Sequence, residues 1–318
     1  MTADPPNDTT SHDAGLAPDA VAGLEHRPRH RTPAALRAVR PKQWVKNLLV
    51  FAAPLASGKL LDTTVVLQCI GAFVAFCLVS ATVYLVNDSR DIEEDRLHPK
   101  KRYRPIAAGE LSVPAALVLA SITAVLGFTL GFLVSIPLGI TLAVYVVVQI
   151  VYSIFLKDFP VIDLAVVASG FLLRAVAGGV ATGIDLSQWF LLVASFGSLF
   201  MVAGKRYSEL VALGPEAGTR RSLQRYSSSY LRFVWMVAAG TVLMSYSLWA
   251  FENHDKGPWD VPWTALSIAP LTLGLLQYAL EVDRGEAGAP EDVVLTDRVL
   301  QVLVLLWLVL VAVAVFIP

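Results

Sequence analysis

The sequence is poor in cysteine, and this absence narrows the chemistry open to it. Its 318 residues include two cysteines, Cys69 and Cys77, and both fall within one apolar stretch. This arrangement excludes a disulfide framework and a CxxC metal site. The two residues are best interpreted as small apolar side chains in a buried segment.

The usual nucleophile and nucleotide-binding motifs are also lacking. No GxxxxGK[ST] loop is present, and no histidine stands in a Ser/His/Asp or Cys/His pattern. An activated serine or cysteine nucleophile is therefore excluded, as is a P-loop for nucleotides. All five histidines fall in the predicted tail or loops, and only His98 lies near an acidic run. They are His12, His26, His30, His98 and His254.

Charge is scarce, whereas long apolar blocks are abundant. Charged residues make up 16% of the chain and hydrophobic residues 55%, with a mean hydropathy of +0.61 and a net charge of -1. Blocks of this length are typical of a polytopic all-α membrane protein rather than of a soluble core. Nine transmembrane helices are predicted, at 44–60, 63–86, 112–134, 137–156, 161–182, 188–204, 230–251, 261–281 and 298–317.

The basic residues are sorted by location along the chain. Of the 25 lysines and arginines, 22 fall in the N-terminal segment or in alternate connections between the predicted spans. Lys59 and Lys256 lie on the opposite side, and Arg174 lies within a span. By the positive-inside rule, the N-terminus faces the cytoplasm, and the protein is expected in the inner (plasma) membrane.

The N-terminal residues differ from the rest of the chain. Residues 1–34 are rich in Pro, Asp, Thr and Ala and contain no apolar h-region. This composition predicts a disordered cytoplasmic tail rather than a signal peptide. Residues 35–318 are then expected to form the nine-helix transmembrane domain.

The first polar motif follows the second predicted span. It combines clustered oxygen ligands with cations, namely Asn87, Asp88, Asp91 and Asp95 followed by Lys101, Arg102 and Arg104. If the helix continues, the three aspartates share a narrow arc of one face. Mg²⁺ prefers such oxygen ligands and shares them with substrate phosphates, which the cations neutralise. The alternative is an ordinary solvated, charged helix end.

A second polar cluster spans Tyr152–Asp163, on the same predicted side as the first. It contains Lys157, Asp158 and Asp163, and Arg174 follows Asp163 by three helical turns on the same face. A charge at the depth of Arg174 is costly in lipid. It indicates either a buried structural partner for ions and helix carbonyls or a group that grips an anionic lipid or substrate.

A third cluster, GKRYSEL at Gly204–Leu210, ends the sixth predicted span. Lys205 and Glu209 are spaced for an i,i+4 pair, and Arg206 lies between them. Positive-inside anchoring explains such a cluster equally well. The interpretation as part of a site depends on the other two clusters, which lie at the same side of the membrane.

These motifs resemble a known family. Asn87 to Asp95 reads NDxxDxxxD and is followed by RYRPIAAG, which is similar to the first aspartate-rich motif of the UbiA-type intramembrane prenyltransferases. The resemblance covers about residues 35–317. The phrases RPKQWVKN, GFLLRAVAGG and GKRYSEL are most similar to the branch that transfers phosphoribose to decaprenyl phosphate. The second motif departs from the family pattern, because four residues separate Asp158 from Asp163 instead of three.

The resemblance implies a fold, a reaction and a set of site residues. The fold is a nine-helix bundle around a lateral cavity open to lipid. The reaction transfers phosphoribose from 5-phosphoribose 1-diphosphate to decaprenyl or another polyprenyl phosphate, for synthesis of cell-wall arabinan precursors. Mg²⁺ is the implied cofactor, with Mn²⁺ as a substitute. A homo-oligomer is a possible assembly, and nucleic acid is not an expected partner.

The residue roles implied by the resemblance fall into three groups. The catalytic residues are Asp88, Asp91 and Asp163. The metal ligands are Asn87, Asp88, Asp91 and Asp95. The substrate-binding residues are Asn87, Lys42, Lys46, Lys101, Arg102, Arg104, Arg174, Lys205, Arg206 and Tyr207.

Two other functions fit parts of the pattern. A prenyl-diphosphate transferase acting on an aromatic ring uses the same Mg²⁺–diphosphate chemistry, but its neutral acceptor needs fewer cations than this chain offers. A lipid transporter or flippase is expected to carry polar groups through its spans and to the far side. Only Arg174 does so here.

Overall fold

Eight long helices dominate the computed structural model, which describes residues 32–98, 101–213, 226–253, 257–285 and 290–317. All eight are long and apolar enough to cross a membrane when two of them are counted with their adjoining helical turns, as Ile136–Leu156 and Trp263–Asp283, which confirms a polytopic helical protein. They are α1 (Thr63–Arg90), α2 (Val113–Val134), α3 (Ile136–Val151), α4 (Pro160–Thr182), α5 (Gln188–Leu213), α6 (Ser228–Glu252), α7 (Ile268–Asp283) and α8 (Arg298–Phe316).

Polar residues in the connections fix where several of these helices begin. Asp62 accepts hydrogen bonds from the backbone N–H groups of the first turn of α1, and Asp297 does the same for α8. Ser135 is extended and caps α3, which is why so short a turn separates α2 from α3. Such caps satisfy N–H groups that have no partner within the helix.

The first predicted span, 44–60, is built differently from the others. A 3-10 helix, Pro41–Phe51, runs directly into a short α-helix, Ala52–Ala56. At the usual rises of about 2.0 and 1.5 Å per residue, these segments extend roughly 30 Å. The segment starts beside the C-terminal end of α1, and Gly58 at its far end lies against Val315 near the end of α8. It therefore supplies the ninth crossing.

Helix α4 lies at the centre of the bundle and joins two apolar clusters. In the C-terminal half of α4, Ala177 and Ala181 pack with Phe76 and Leu142, between the 3-10 helix, α1 and α3. In the N-terminal half, Leu164 packs with residues of α5 to α8, including Phe200. Small residues on α4 let neighbouring backbones approach closely, as is common in membrane bundles.

Several of the short elements lie at the end of the bundle where the polar motifs are found. Helix α1 ends at Arg90, and a separate helix, Ile92–Leu97, follows, so Asp88, Asp91 and Asp95 do not share one uninterrupted helix face. A π-helical turn, Tyr152–Leu156, extends α3. The remaining short elements are Ala34–Ala38, Lys101–Tyr103, Pro258–Asp260, Trp263–Leu266 and Pro290–Thr296. The predicted tail, residues 1–34, lies almost wholly outside the described residues, as does the group Arg220, Arg221 and Arg225.

Candidate active site

Two buried carboxylates, Asp88 and Asp95, form the centre of the first polar cluster. Their exposed fractions are 5% and 1%. The Arg104 Nη1 atom bridges them, at 3.1 Å from Asp88 Oδ1 and 2.6 Å from Asp95 Oδ2. Lys101 Nζ adds a contact of 3.8 Å to Asp95. These ion pairs compensate for the burial of the two carboxylates.

Arg40 is a further partner of Asp88. Its Nη2 atom lies 2.5 and 2.7 Å from the two carboxylate oxygens, and its guanidinium lies 4.8 Å from the centre of the Tyr84 ring. Three cations, Arg40, Arg104 and Lys101, thus contact these two carboxylates, and the Lys157–Asp91 pair belongs to the same end of the site. Grouped cations of this kind suit the oxygens of an anionic substrate.

Asn87 and Asp91 make fewer contacts with other protein side chains than Asp88 and Asp95 do. Asp91 begins the break after α1, and its nearest cation is Lys157, at 3.8 Å between Nζ and Oδ1. The half-buried side chain of Asn87 makes no hydrogen bond to the described residues. Burial raises the pKa of the Asp91 carboxyl above its ordinary value, and the charge of Lys157 partly opposes that shift.

The Lys157–Asp91 contact joins the second predicted cluster to the first. Asp163, at the start of α4, is fully buried and contacts Arg206 through both oxygens, at 3.3 Å each. Tyr152, from the π-helical turn, donates a hydrogen bond to the same carboxylate. Asp163 thus orients a cation in this structure, whereas Asp158 is exposed.

Tyr226 completes the shell of Asp163 from the connection before α6. Its hydroxyl donates to the Pro160 carbonyl and lies 3.5 Å from Asp163 Oδ2. Burial, reinforced by the charge of Asp163, raises the pKa of the Tyr226 phenol well above its ordinary value. The hydroxyl therefore stays protonated and acts as a donor.

Arg174, the basic residue within a span, has only neutral partners among the described residues. Its guanidinium donates to Asn47 Oδ1 at 2.7 Å, to the Gly170 carbonyl at 2.6 Å, to the Tyr145 hydroxyl at 3.0 Å and to Ser80 Oγ at 3.3 Å. Its exposed fraction is 5%. The residue joins the 3-10 helix to α1, α3 and α4.

The remaining predicted cations surround these clusters. Lys42 is exposed, and Lys46 lies 5.9 Å from the centre of the Phe171 ring, as does the guanidinium of Arg174. Arg102 donates to the hydroxyl of Tyr103. Lys205 and Glu209 form the predicted i,i+4 contact, at 3.9 Å.

Tyr207, the residue directly after Arg206, faces another part of the bundle. Its side chain is buried, and its hydroxyl contacts Asp283 at 3.0 Å and also accepts from Arg232. Most of the predicted site residues therefore lie in or beside three groups: an Asp88–Asp95 cluster, an Asp163–Arg206 cluster, and the neutral hydrogen-bond partners that surround Arg174, here called the cage around Arg174. Tyr207 lies outside all three.

Sequence reasoning missed the partners supplied by distant segments. Arg40 stands 48 residues before Asp88, and Asn47 stands 127 residues before Arg174. Tyr152 and Tyr226 approach Asp163 from different connections. The one available signal was the phrase RPKQWVKN, which contains both Arg40 and Asn47.

The donor set suits Mg²⁺ in chemistry, though no protein cage is preformed. Across the part of the chain that the structure describes, no group of three or more His, Cys, Asp or Glu side chains is arranged to hold a metal. Mg²⁺ commonly takes one or two carboxylates and completes its shell with water and substrate phosphates. Asp91 and Asn87, one helical turn apart at the edge of the cluster, fit that role.

A family model places this architecture among known proteins. The model for the UbiA prenyltransferase family matches residues 48–212, more than half of the chain. The chain belongs to the UbiA prenyltransferase family. A relative named decaprenyl-phosphate phosphoribosyltransferase, from Corynebacterium glutamicum, is 49% identical over 91% of this chain and 89% of its own length. A protein of the same name from Mycobacterium tuberculosis is 47% identical over 91% of this chain and 96% of its own.

Solved structures agree with this UbiA-family fold. A UbiA homolog from Archaeoglobus fulgidus bound to GPP and Mg²⁺ superposes with a TM-score of 0.64 at 17% identity, over 89% of this chain and 99% of that one. A digeranylgeranylglyceryl phosphate synthase gives 0.60 at 18% identity, over 89% of this chain and 98% of that one.

Proposed function

We propose that this UbiA-family protein transfers 5-phosphoribose from 5-phosphoribose 1-diphosphate to decaprenyl phosphate and releases diphosphate. The names of relatives nearly half identical over most of the chain support this reaction. The observation that carries the proposal is the grouping of Arg40, Arg104 and Lys101 around Asp88 and Asp95. These cations suit the phosphates of two phosphorylated substrates, whereas a neutral acceptor needs fewer of them.

The reaction requires placement and charge neutralisation more than proton transfer. An acceptor phosphate monoester is already ionised near neutral pH, so its oxygen attacks ribose C1 without a general base. The bond from C1 to the phosphate oxygen forms as the bond from C1 to the diphosphate oxygen breaks, and diphosphate leaves with that electron pair. Asp91 and Asn87 would hold Mg²⁺, or Mn²⁺ in its place, and the bound metal would neutralise charge on the leaving diphosphate.

The cations divide by their position in the bundle. Arg104, Lys101 and Arg102 lie after α1 and bind the phosphates of the donor. Lys42 and Lys46 lie on the crossing formed by Pro41–Phe51 and bind the acceptor headgroup, whose polyprenyl chain extends into lipid. Arg174 positions this crossing through Asn47 rather than touching the headgroup, because its guanidinium is buried and satisfied by neutral partners. The Asp163–Arg206 pair fixes the start of α4 beside Lys157.

The experiment incubates detergent-purified protein with Mg²⁺, 5-phosphoribose 1-diphosphate and decaprenyl phosphate, and follows diphosphate release and the lipid product by mass. Asp91→Asn is expected to lower turnover at least about 100-fold, since it removes a charged metal ligand. Glu93→Gln, a change two residues away at an exposed side chain, is the matched control and keeps normal turnover. Equal turnover in both variants would contradict the metal role of Asp91.

Prenyl transfer from a prenyl diphosphate to an aromatic ring is the second candidate. It is favoured by the fold shared with UbiA homologs bound to GPP and DMAPP. The same assay distinguishes the two functions, because it is repeated with geranyl diphosphate and 4-hydroxybenzoate. A prenylated ring together with no phosphoribosyl lipid would overturn the proposal and leave the fold assignment intact.

A further inference from the structure

Arg40 occupies an unusual backbone position at the edge of the site. Its φ is 53° and its ψ is 61°, in the left-handed region that non-glycine residues rarely adopt, and Pro41 follows it. A residue before proline normally favours extended backbone. Strained positions of this kind persist where the surrounding contacts require them, and they concentrate at functional sites.

The contact that holds Arg40 in place is its pair with Asp88. Its side chain is 24% exposed, whereas that of Asp88 is 6% exposed. The guanidinium therefore lies between the buried carboxylate and the open end of the cluster. A carboxylate that accepts from both Arg40 and Arg104 has few lone pairs left for a metal, and a bare dication is repelled by the same guanidinium groups.

A bound diphosphate offers Arg40 an alternative to its pair with Asp88. Its oxygens match the planar fork of a guanidinium at least as well as a carboxylate does. The side chain of Arg40 is partly exposed and lies against the ring of Tyr84, so a diphosphate that enters the cluster offers it a second anionic partner. The carboxylate of Asp88 is then available to the metal that the diphosphate carries.

We propose that Arg40 is a phosphate-binding residue that exchanges partners: it neutralises Asp88 in the substrate-free protein and moves to the diphosphate when metal and diphosphate bind together. The inference rests on the proposed function for the identity of the donor. It makes the binding of metal and of diphosphate mutually dependent, because each removes the obstacle to the other. The metal alone then binds weakly, and the diphosphate and the metal enter as a unit.

The test measures Mn²⁺ bound to the detergent-purified full chain by electron paramagnetic resonance, with and without inorganic diphosphate. A protein-free sample corrects for the complex formed in solution. In the unmodified protein, diphosphate is expected to raise Mn²⁺ affinity roughly tenfold or more. In Arg40→Gln, Mn²⁺ alone is expected to bind about tenfold more tightly, because one competing guanidinium is gone, and the effect of diphosphate shrinks to about threefold or less.

Arg37→Gln is the matched control. It lies three residues earlier and pairs with Glu110 rather than with the buried acids, so it keeps the unmodified behaviour. If Arg40→Gln matches Arg37→Gln in both measurements, the exchange is contradicted. Arg40→Gly guards against a folding defect, because glycine adopts a left-handed φ without strain. Arg40→Gly is expected to reproduce the tighter Mn²⁺ binding and to melt at a higher temperature than Arg40→Ala.

A second variant tests the exchange from the other side. Asp88→Asn releases Arg40 and Arg104 from a negative partner, so metal-free diphosphate is expected to bind more tightly than in the unmodified protein. Weaker diphosphate binding would overturn the proposal. None of these measurements requires phosphoribosyl transfer, so failure here and failure of the proposed reaction are separate results. The transfer assay on the unmodified protein reports the latter alone.

Discussion

At the scale of single residues, the described buried acids of this protein are each matched to a guanidinium. Asp88 and Asp95 contact arginines at one end of α1, and Asp163 contacts Arg206 at the start of α4. Removing one member of a buried pair leaves the other charged and unpaired, which costs far more than losing a surface contact. Stability measurements can therefore separate structural acids from metal ligands.

Asp163→Asn provides the clearest case. The change leaves Arg206 with Glu209 as its only carboxylate partner among the described residues, and it is expected to lower the free energy of unfolding by about 3–5 kcal/mol. Thermal unfolding in detergent, followed by tryptophan fluorescence, measures the effect against Glu93→Gln, which should match the unmodified protein. An unchanged melting temperature combined with lost Mn²⁺ binding would identify Asp163 as a metal ligand instead.

Asp91 gives a pH dependence with a defined sign. Burial raises its pKa above the ordinary value of 3.8, while Lys157 lowers it and Glu94 and Asp95 add smaller upward contributions. The folded state then holds the proton to a higher pH than the unfolded state does. The stability from this group is fully present below pH 3.8 and is lost as the pH rises through the raised pKa.

Metal binding has the opposite preference, because it needs the ionised carboxylate. On acidification, Mn²⁺ binding in the presence of diphosphate is therefore expected to fall with a midpoint above pH 3.8. Lys157→Gln removes the opposing charge and should move that midpoint to still higher pH. A pH titration of bound Mn²⁺ measures both midpoints, with Arg37→Gln as control. A downward shift in Lys157→Gln would contradict the role assigned to this lysine.

Local spacing in the sequence predicted some of the site contacts but not those between distant segments. The acids and cations of the first motif were predictable because local spacing marks them, and Lys205–Glu209 followed from helical periodicity. The pairing of Asp88 with Arg40 was not predictable, because it depends on how a distant crossing packs against α1. Local spacing likewise does not reveal that Asp163 is enclosed by Arg206, Tyr152 and Tyr226.

At the scale of elements, the 3-10 helix Pro41–Phe51 depends on close contact with α4. At Gly178, an added Cβ would lie 1.8 Å from the carbonyl oxygen of Val50 and 3.3 Å from Cδ of Pro54. The glycine therefore lets two backbones touch. The sequence predicted a crossing here, but it did not predict the 3-10 helix or this close backbone contact.

Gly178→Ala tests that dependence. Overpacking typically costs about 1–3 kcal/mol, and a clash with backbone belongs at the upper end of that range. Turnover is expected to fall as well, since Lys46 and Arg40 lie on or beside the displaced segment. Gly240→Ala is the control, because a Cβ there meets no described atom within 4 Å and alanine favours a helix. Equal melting temperatures for the two variants would contradict the packing argument.

At the scale of the whole molecule, the charged clusters lie together at one end of the bundle, and the described residues at the other end include few cations. The sequence predicted the long helices and the concentration of charge at one end. Both depend on whether a segment lies in lipid or in water rather than on specific contacts between side chains. We expect the clustered end to face the cytoplasm, where a soluble sugar diphosphate is available.

Cysteine labelling checks this orientation. The native Cys69 and Cys77 are buried in α1, so the background is low. Leu61 and Leu97 are 77% and 88% exposed and lie at opposite ends of α1. An impermeant maleimide applied to intact cells with the outer envelope removed is expected to label Leu61→Cys and to spare Leu97→Cys until the membrane is permeabilised. The reverse pattern would invert the predicted topology.

The cage around Arg174 has a consequence for how the chain is made. All its hydrogen-bond partners, Asn47, Ser80, Tyr145 and Gly170, precede it in the sequence. Synthesis proceeds from the N-terminus, so the earlier crossings are in the membrane before α4 leaves the ribosome. The basic side chain of Arg174, which lies within a membrane-spanning helix, therefore arrives after its described hydrogen-bond acceptors. The order of residues along the chain is thus also an order of assembly. The charged Arg174 side chain, which is costly to place in lipid, enters the membrane when the groups that hydrogen-bond to it are already there.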